Sequence, residues 1–189
     1  MKIRRRGEVL EAAIFKVVFQ ELAETGYVNF SIERVAGRVG TSKPVIYRRW
    51  STRARLVYAA LRASRLDFTS EVPDTGTVRG DLIVILQSVS NMVDDLKPEV
   101  MFGLIAELLH ERDTSLFAEV LERNAKTMTE ILTRGIGRGE IAEDKLTPRI
   151  AALPFDLVRY QLMVKRQPLS AQDIEEIIDR IFLPLVRAD

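Results

Sequence analysis

The sequence predicts an all-α protein of about nine helices, an N-terminal three-helix helix-turn-helix domain followed by a C-terminal helical domain. Three observations predict it. Apolar residues recur at helical spacing along almost the whole chain, and no segment alternates as a half-buried strand would. Within residues 31–50 a tight turn containing Gly40 separates two short helical segments, the spacing of a helix-turn-helix. The charge is also split: the net +1 hides a segment, residues 1–62, with thirteen Lys/Arg against five Asp/Glu, a net of +8, on a body of −7. A basic end on an acidic body points to a polyanionic partner at that end only.

The elements follow in order. Residues 8–24 place Val9, Leu10, Ala13, Ile14, Val17, Val18 and Leu22 on one helical face, and Thr25-Gly26-Tyr27 stops the run. Ser31 caps a second helix with Ile32, Val35, Ala36 and Val39 inward and Glu33 in its first turn, where the helix dipole favours an acid. Gly40 ends it. Ser42 is placed to cap a third helix running to about Trp50, with Pro44 in the first turn, where a missing N–H costs little. Thr52 caps a fourth, with Leu56, Val57, Ala60 and Leu61 inward. Pro73-Asp74-Thr75-Gly76 is the clearest break and reads as a hinge. It divides a helix-turn-helix domain at 1–52, with a linking helix 53–72, from a second domain at 73–189. Beyond it, helices are expected near 77–96, 98–111, 114–135, 148–166 and 170–186, with Pro154 kinking the fourth of these.

Composition narrows the function classes. With 189 residues, 47% hydrophobic and 29% charged, the chain has the make-up of an ordinary globular protein. Its longest uncharged stretch, Leu82 to Val93, is twelve residues, short of the roughly 20 a spanning helix needs, so no membrane segment is expected. The basic start Lys2-Ile3-Arg4-Arg5-Arg6 is followed by Glu8, Glu11 and Lys16 rather than by an apolar run, so no signal peptide is read and a cytoplasmic location is expected. There is no cysteine, hence no disulfide or thiol chemistry. The single histidine, His110, has no partner at metal spacing, and Gly135-x-Gly137-x-Gly139 follows a helix rather than a strand. No nucleophile–base pair, phosphate-cradling loop or zinc site is visible, so neither an enzyme, a cofactor nor a metal is expected.

The chemistry of residues 31–50 suits duplex DNA. The second helix of such a unit enters the major groove while the first braces it. Its N-terminus would offer N–H groups and positive dipole to phosphate, with Thr41, Ser42 and Lys43 adding donors and Tyr47 and Arg48 following one turn later. Phosphate contacts position such a helix, and only base-edge contacts carry sequence information. Ile46 and Trp50 are the residues placed to pack inward.

At these positions the chain resembles the TetR family of bacterial regulators. Val35-Ala36, Gly40, Ser42, Ile46-Tyr47, Trp50 and Leu56 fall in register with that family's pattern, and Ala12-Ala13, Phe19 and Gly26-Tyr27 resemble its first helix, a match over roughly residues 6–60. The resemblance implies a DNA-binding set of Ser31, Thr41, Ser42, Lys43, Val45, Tyr47, Arg48 and Arg53. Within it Tyr47, Ser42 and Arg53 would meet phosphate, and Thr41, Lys43 and Arg48 base edges; Arg4, Arg5 and Arg6 would form an arm. The chain departs from the pattern at Val39 (usually Ala), Thr41 (usually Val), Val45 (often a phosphate-contacting Thr) and Arg53 (usually Lys). These changes bear on which operator is read.

For the body, the resemblance implies a homodimer through helices near 148–166 and 170–186 and a small-molecule pocket among the middle helices. The sequence offers a stripe at Ile174, Ile177, Ile178, Ile181, Phe182 and Leu185 and a matching face at Leu153, Leu157, Val158 and Leu162. Met92, Met101, Phe102, Ile105, Phe117, Leu121, Met128 and Phe155 are the candidate pocket lining, although each is also ordinary core material. The function implied is a repressor on a double-stranded palindromic operator, released by a small apolar effector. The alternatives are a ligand-independent or activating regulator, or an all-helical small-molecule binding protein or enzyme, the last disfavoured by a single His and no Cys.

Overall fold

A computed structural model describes residues 2–64, 72–110 and 115–188, with side chains from Gly7 onward. The described residues hold nine helices and no strand beyond one isolated bridge between Ile141 and Arg187. They are α1 (Lys2–Thr25), α2 (Ile32–Val39), α3 (Lys43–Tyr47), α4 (Arg53–Ala63), α5 (Val78–Leu96), α6 (Pro98–His110), α7 (Ser115–Gly137), α8 and α9. The last two leave α geometry partway: α8 (Pro148–Tyr160) continues as a π-helical stretch Gln161–Lys165, and α9 runs Ala171–Glu175, π-helical Glu176–Phe182, then Leu183–Val186. Among the described residues no helix is long and apolar enough to cross a membrane.

The chain forms two compact units, Met1–Asp67 with Glu99–Arg112, and Phe68–Pro98 with Asp113–Asp189. The first unit therefore includes most of α6, which the sequence had grouped with the body. Close packing explains the grouping. A Cβ on Gly103 of α6 would lie 2.5 Å from the Tyr27 ring, so only glycine lets the helix seat there. The core of this unit is Ile14, Val18 and Leu22 of α1, Ile32, Val35 and Ala36 of α2, Ile46 of α3, and Leu56, Val57 and Ala60 of α4, all buried. Val9 and Ala13, expected on the inward face of α1, are exposed. The first helix begins at Lys2 rather than near residue 8.

Two further boundaries differ from expectation. Helix α3 stops at Tyr47, five residues long, and the chain reaches Trp50 through a turn in which Arg49 and Trp50 N–H both donate to the Ile46 carbonyl at 2.9 Å. Helix α4 stops at Ala63, because Ser64 turns to extended backbone and its hydroxyl donates to the Leu61 carbonyl at 2.7 Å. The rest of the expected linking helix, 65–71, lies outside the described residues.

In the second unit α5, α7, α8 and α9 pack through Leu82, Ile85, Leu86, Met128, Ile131, Leu132, Phe155, Val158, Ile174, Ile178 and Phe182. The segment read as a hinge is held down. Asp81 of α5 is fully buried, and its Oδ1 accepts from Thr75 N–H at 2.6 Å and from the Thr75 hydroxyl at 2.8 Å. Arg134 of α7 donates to the Pro73 carbonyl and approaches Asp81 to 3.6 Å, with Arg138 at 4.0 Å. A buried carboxylate facing two guanidinium groups and a loop amide fixes Pro73–Thr75 onto α5 and α7, which a free hinge would not allow. Helix α8 runs on through Pro154, and its departure from α geometry comes later, from Gln161.

Most of the apolar stripe expected between subunits is core of the single chain. Ile174, Ile177, Ile178 and Phe182 of α9 and Val158 and Leu162 of α8 are buried, whereas Leu153, Leu157 and Ile181 are half-buried and Leu185 is exposed.

Candidate DNA-binding surface

Helices α2 and α3 are set on α1 by ionic and apolar contacts the sequence reading did not name. Glu21, essentially buried on α1, accepts from Arg34 Nε and from Arg38 Nη1 at 3.2 Å, two residues one turn apart on α2. Glu24 takes Arg38 as well, through both guanidinium ends at 2.7 and 3.0 Å. The Arg38 hydrogen bond holds the Glu24 carboxyl below its usual range. Trp50 lies against Phe15 of α1, ring centroids 5.3 Å apart and tilted, and Ile46 is buried, as their spacing predicted. The one signal available for the buried acid was its register: Glu21 falls on the Val18–Leu22 face of α1.

The turn between α2 and α3 is built by Gly40, in left-handed conformation at φ 75°, followed by Thr41 N–H donating to the Ala36 carbonyl at 2.9 Å. That conformation is strained for residues with a Cβ and open to glycine. Ser31 caps α2, accepting from Arg34 N–H at 3.5 Å while its hydroxyl donates to Glu33 at 2.8 Å. Ser42 precedes α3 in extended conformation but makes no side-chain cap hydrogen bond, contrary to expectation. Its exposed hydroxyl is thereby left to an outside acceptor.

The expected contact residues divide into groups. Thr41, Ser42, Lys43, Tyr47 and Arg48 lie on α3 and its flanks; Ser42, Lys43, Tyr47 and Arg48 are exposed and Thr41 is half-buried. Val45 is half-buried and carries no hydroxyl for phosphate. Lys43 is ion-paired to Glu33, which links it to Ser31 across the turn. The Lys43 ammonium, and after it the Ser31 hydroxyl, hold the Glu33 carboxyl down at about 2. Arg53, at the start of α4, is engaged elsewhere: its Nε donates to Glu107 of α6 at 2.5 Å and its guanidinium lies 5.0 Å from the Tyr27 ring centroid. The side chains of Arg4, Arg5 and Arg6 lie outside the described residues.

This arrangement decides where the positive charge is available. Arg34 and Arg38 are committed to Glu21, Arg49 to Glu11 at 2.8 Å, Lys43 to Glu33 and Arg53 to Glu107. Arg48 is exposed and makes no ion pair among the described residues, which leaves an uncompensated cation beside Tyr47 at the end of α3. A helix of five residues carries little dipole, so contacts from α3 must come from side chains more than from its N-terminus.

The candidate pocket residues divide between the two units. Met101, Phe102 and Ile105 are on α6 in the first; Met92, Phe117, Leu121, Met128 and Phe155 are in the second. Of these, Leu121, Met128 and Phe155 come together along one cleft between α7 and α8. No cluster of metal-ligating side chains occurs among the described residues.

Residues 14–60 match the profile of bacterial regulatory proteins of the tetR family, and residues 72–181 match that of a tetracyclin repressor-like C-terminal domain. The chain is 33% identical over 184 residues to a DNA-binding transcriptional repressor TetR of Mycobacteroides abscessus, covering 96% of each. Among solved structures it is similar in fold to the TetR family transcription regulator SCO0332, with a TM-score of 0.69 and 20% identity over 92% of this chain and 96% of that one. A TetR family regulator of Pseudomonas syringae pv. tomato gives a TM-score of 0.58 and 18% identity over 94% and 97%. The chain belongs to the TetR family of DNA-binding transcriptional regulators.

Proposed function

We propose that the protein is a homodimeric, non-enzymatic repressor that binds a two-fold operator through α3 and its flanks and leaves it when a small molecule binds the body. The observation that carries the reading is the exposed edge of α3, with the Ser42 hydroxyl at its start and Tyr47 and Arg48 at its end. Arg48 makes no ion pair among the described residues, on a unit where Arg34, Arg38, Arg49 and Arg53 are internally paired. Ser42 and Tyr47 are assigned to phosphate, and Thr41, Lys43 and Arg48 to base edges. Ser31 and Glu33 act behind Lys43. Release requires an effector that favours one arrangement of the reading heads over another; tight binding alone shifts nothing.

A dimer is supported by a second apolar face on α8. Leu153, Leu157, Tyr160 and Val164 recur at intervals of four, three and four residues and are half-buried or exposed, while Pro154, Phe155 and Val158 on the opposite side are buried. With Ile181 and Leu185 of α9 they form the surface assigned to the partner copy, narrower than the stripe the sequence suggested. Paired half-sites then follow from two-fold symmetry.

Footprinting on the DNA flanking the protein's own gene tests the reading. Protection of two half-sites about one helical turn apart, or a multiple of it, is expected. Protection of a single half-site, or binding indifferent to sequence at physiological salt, would overturn it.

A further inference from the structure

Between α7 and the first turns of α8 lies a cleft of about 620 Å3. This is within the range of small-molecule sites, roughly 300–1,000 Å3. Its floor is apolar: Met128 and Phe155 are buried, Ala151 and Ala152 half-buried, and Leu121 stands exposed on the lining. Two arginines also line it. Arg159 is paired one turn back with Asp156, so those charges cancel. Arg149 is exposed and makes no ion pair among the described residues, so the cleft carries one uncompensated positive charge over an apolar floor.

That combination selects a ligand class. An apolar body displaces water from a floor that cannot hydrogen-bond to it. A neutral ligand would leave the guanidinium unused and a cation would be repelled, whereas a carboxylate meets it in a bidentate, charge-assisted pair. The cleft is also distinct from the surface assigned to the second copy: its α8 lining, which runs from Pro148 to Arg159, includes none of Leu153, Leu157, Tyr160 and Val164.

We propose that the α7–α8 cleft binds an amphipathic monoanion, a carboxylate on an apolar body of about ten carbons, with Arg149 holding the carboxylate and Met128 and Phe155 the apolar end. The proposal rests on the small-molecule-effector reading for its role in regulation, and on the cleft alone for binding.

The test uses the full chain and three probes that share a tail: decanoate, decanol and decyltrimethylammonium, each titrated by calorimetry below micellar concentration. Decanoate is expected to bind one per chain and at least about tenfold more tightly than the other two, a difference of about 1.4 kcal/mol. Arg149→Gln should abolish that preference and leave decanol binding unchanged. Ala152→Trp, which fills the cleft, should remove binding of all three; Thr129→Trp, from an exposed lining position, repeats the test if the first variant melts early. Equal binding of decanoate and decanol, or a preference that survives Arg149→Gln, overturns the ligand class. Undiminished binding to both filled variants overturns the site, and so does a filled variant that stays folded but becomes monomeric. Operator release is read separately by gel shift. Decanoate that occupies the cleft without releasing DNA leaves the site standing and removes the effector reading.

Discussion

Arg53 is turned toward α6, where its Nε meets Glu107 Oε2 at 2.5 Å and its guanidinium faces the Tyr27 ring at 5.0 Å. The family resemblance gives this position a phosphate contact, and the two roles compete for one guanidinium. If Glu107 holds Arg53, the residue adds little to DNA binding in the wild type. Glu107→Gln should then strengthen binding to operator and random duplex alike and steepen the plot of log K against log salt by about one, the mark of one added phosphate contact. Arg53→Ala should leave that slope unchanged. A slope shallower by about one in Arg53→Ala would place Arg53 on the phosphate after all.

Lys43 is the residue on which reading specificity can be tested most directly. Its partner Glu33 is ionised above about 2, so protonation does not break the pair in the range in which DNA binding is measured. Lys43→Ala should reduce discrimination between operator variants, by about 1–3 kcal/mol at the affected base pair. A uniform weakening with a shallower salt slope would instead make Lys43 a phosphate contact. Glu33→Gln removes the carboxylate and frees the ammonium, so it should raise affinity for random duplex more than for operator.

Glu21 offers a stability test. Removing its carboxylate strands two guanidinium groups at the α1–α2 junction, though both are partly exposed and recover some hydration. Glu21→Ala should cost about 1–2 kcal/mol in urea unfolding, less than the loss of a fully buried pair. A cost below about 0.5 kcal/mol, typical of a surface substitution, would show that apolar contacts alone set α2 on α1.

These three sites differ in how far the sequence announced them. The bend at Gly40 and the inward positions of Ile46 and Trp50 follow from spacing, because a left-handed turn admits few residues and helical periodicity fixes which side chains face the core. The helices of the body were likewise legible to within two residues at each end from their apolar periodicity, and the structure shows three of their starts capped by Thr77, Thr147 and Ser170. Pairings such as Arg53–Glu107 and Glu21–Arg34 were not legible, because they join residues 54 and 13 positions apart whose meeting depends on how helices cross. The stripe on α9 was visible as apolar, but periodicity does not say whether the second surface belongs to the same chain. Ile178 and Phe182 face their own core, and only Ile181 and Leu185 are left for another.

The second unit should lose stability in acid through two carboxylates of α9. Asp173 is held below its usual range by the Ser170 side chain and backbone in a capping box, and Asp179 by the two-pronged Arg79 contact at 2.7 and 2.8 Å. Because both folded values are depressed, their stabilisation is present above 3.8, the unperturbed value, and is lost as pH falls through the lower folded values. Melting temperature should therefore drop below about pH 4, and Asp179→Asn should flatten that drop while lowering the plateau at neutral pH. An unchanged acid profile in Asp179→Asn would show that the Arg79 contact does not persist in solution.

The α8 face gives the clearest test of assembly, because dissociation and unfolding are separable there. Leu157 and Val164 are half-buried and exposed in the single chain, so a charge at either position adds little strain within it. In a dimer that buries this face, an unpaired charge at the centre of the interface would be desolvated without a partner. Leu157→Arg with Val164→Arg should give a monomer by sedimentation that keeps its helical circular dichroism and loses tight operator binding, since one reading head no longer recruits the other. Phe182→Ala provides the contrast: fully buried on the inward side of α9, it should cost about 3–5 kcal/mol and lower the melting temperature of the chain itself. A double-arginine variant that remains dimeric would move the interface off this face, and the apolar row at Leu153, Leu157, Tyr160 and Val164 would then need another occupant.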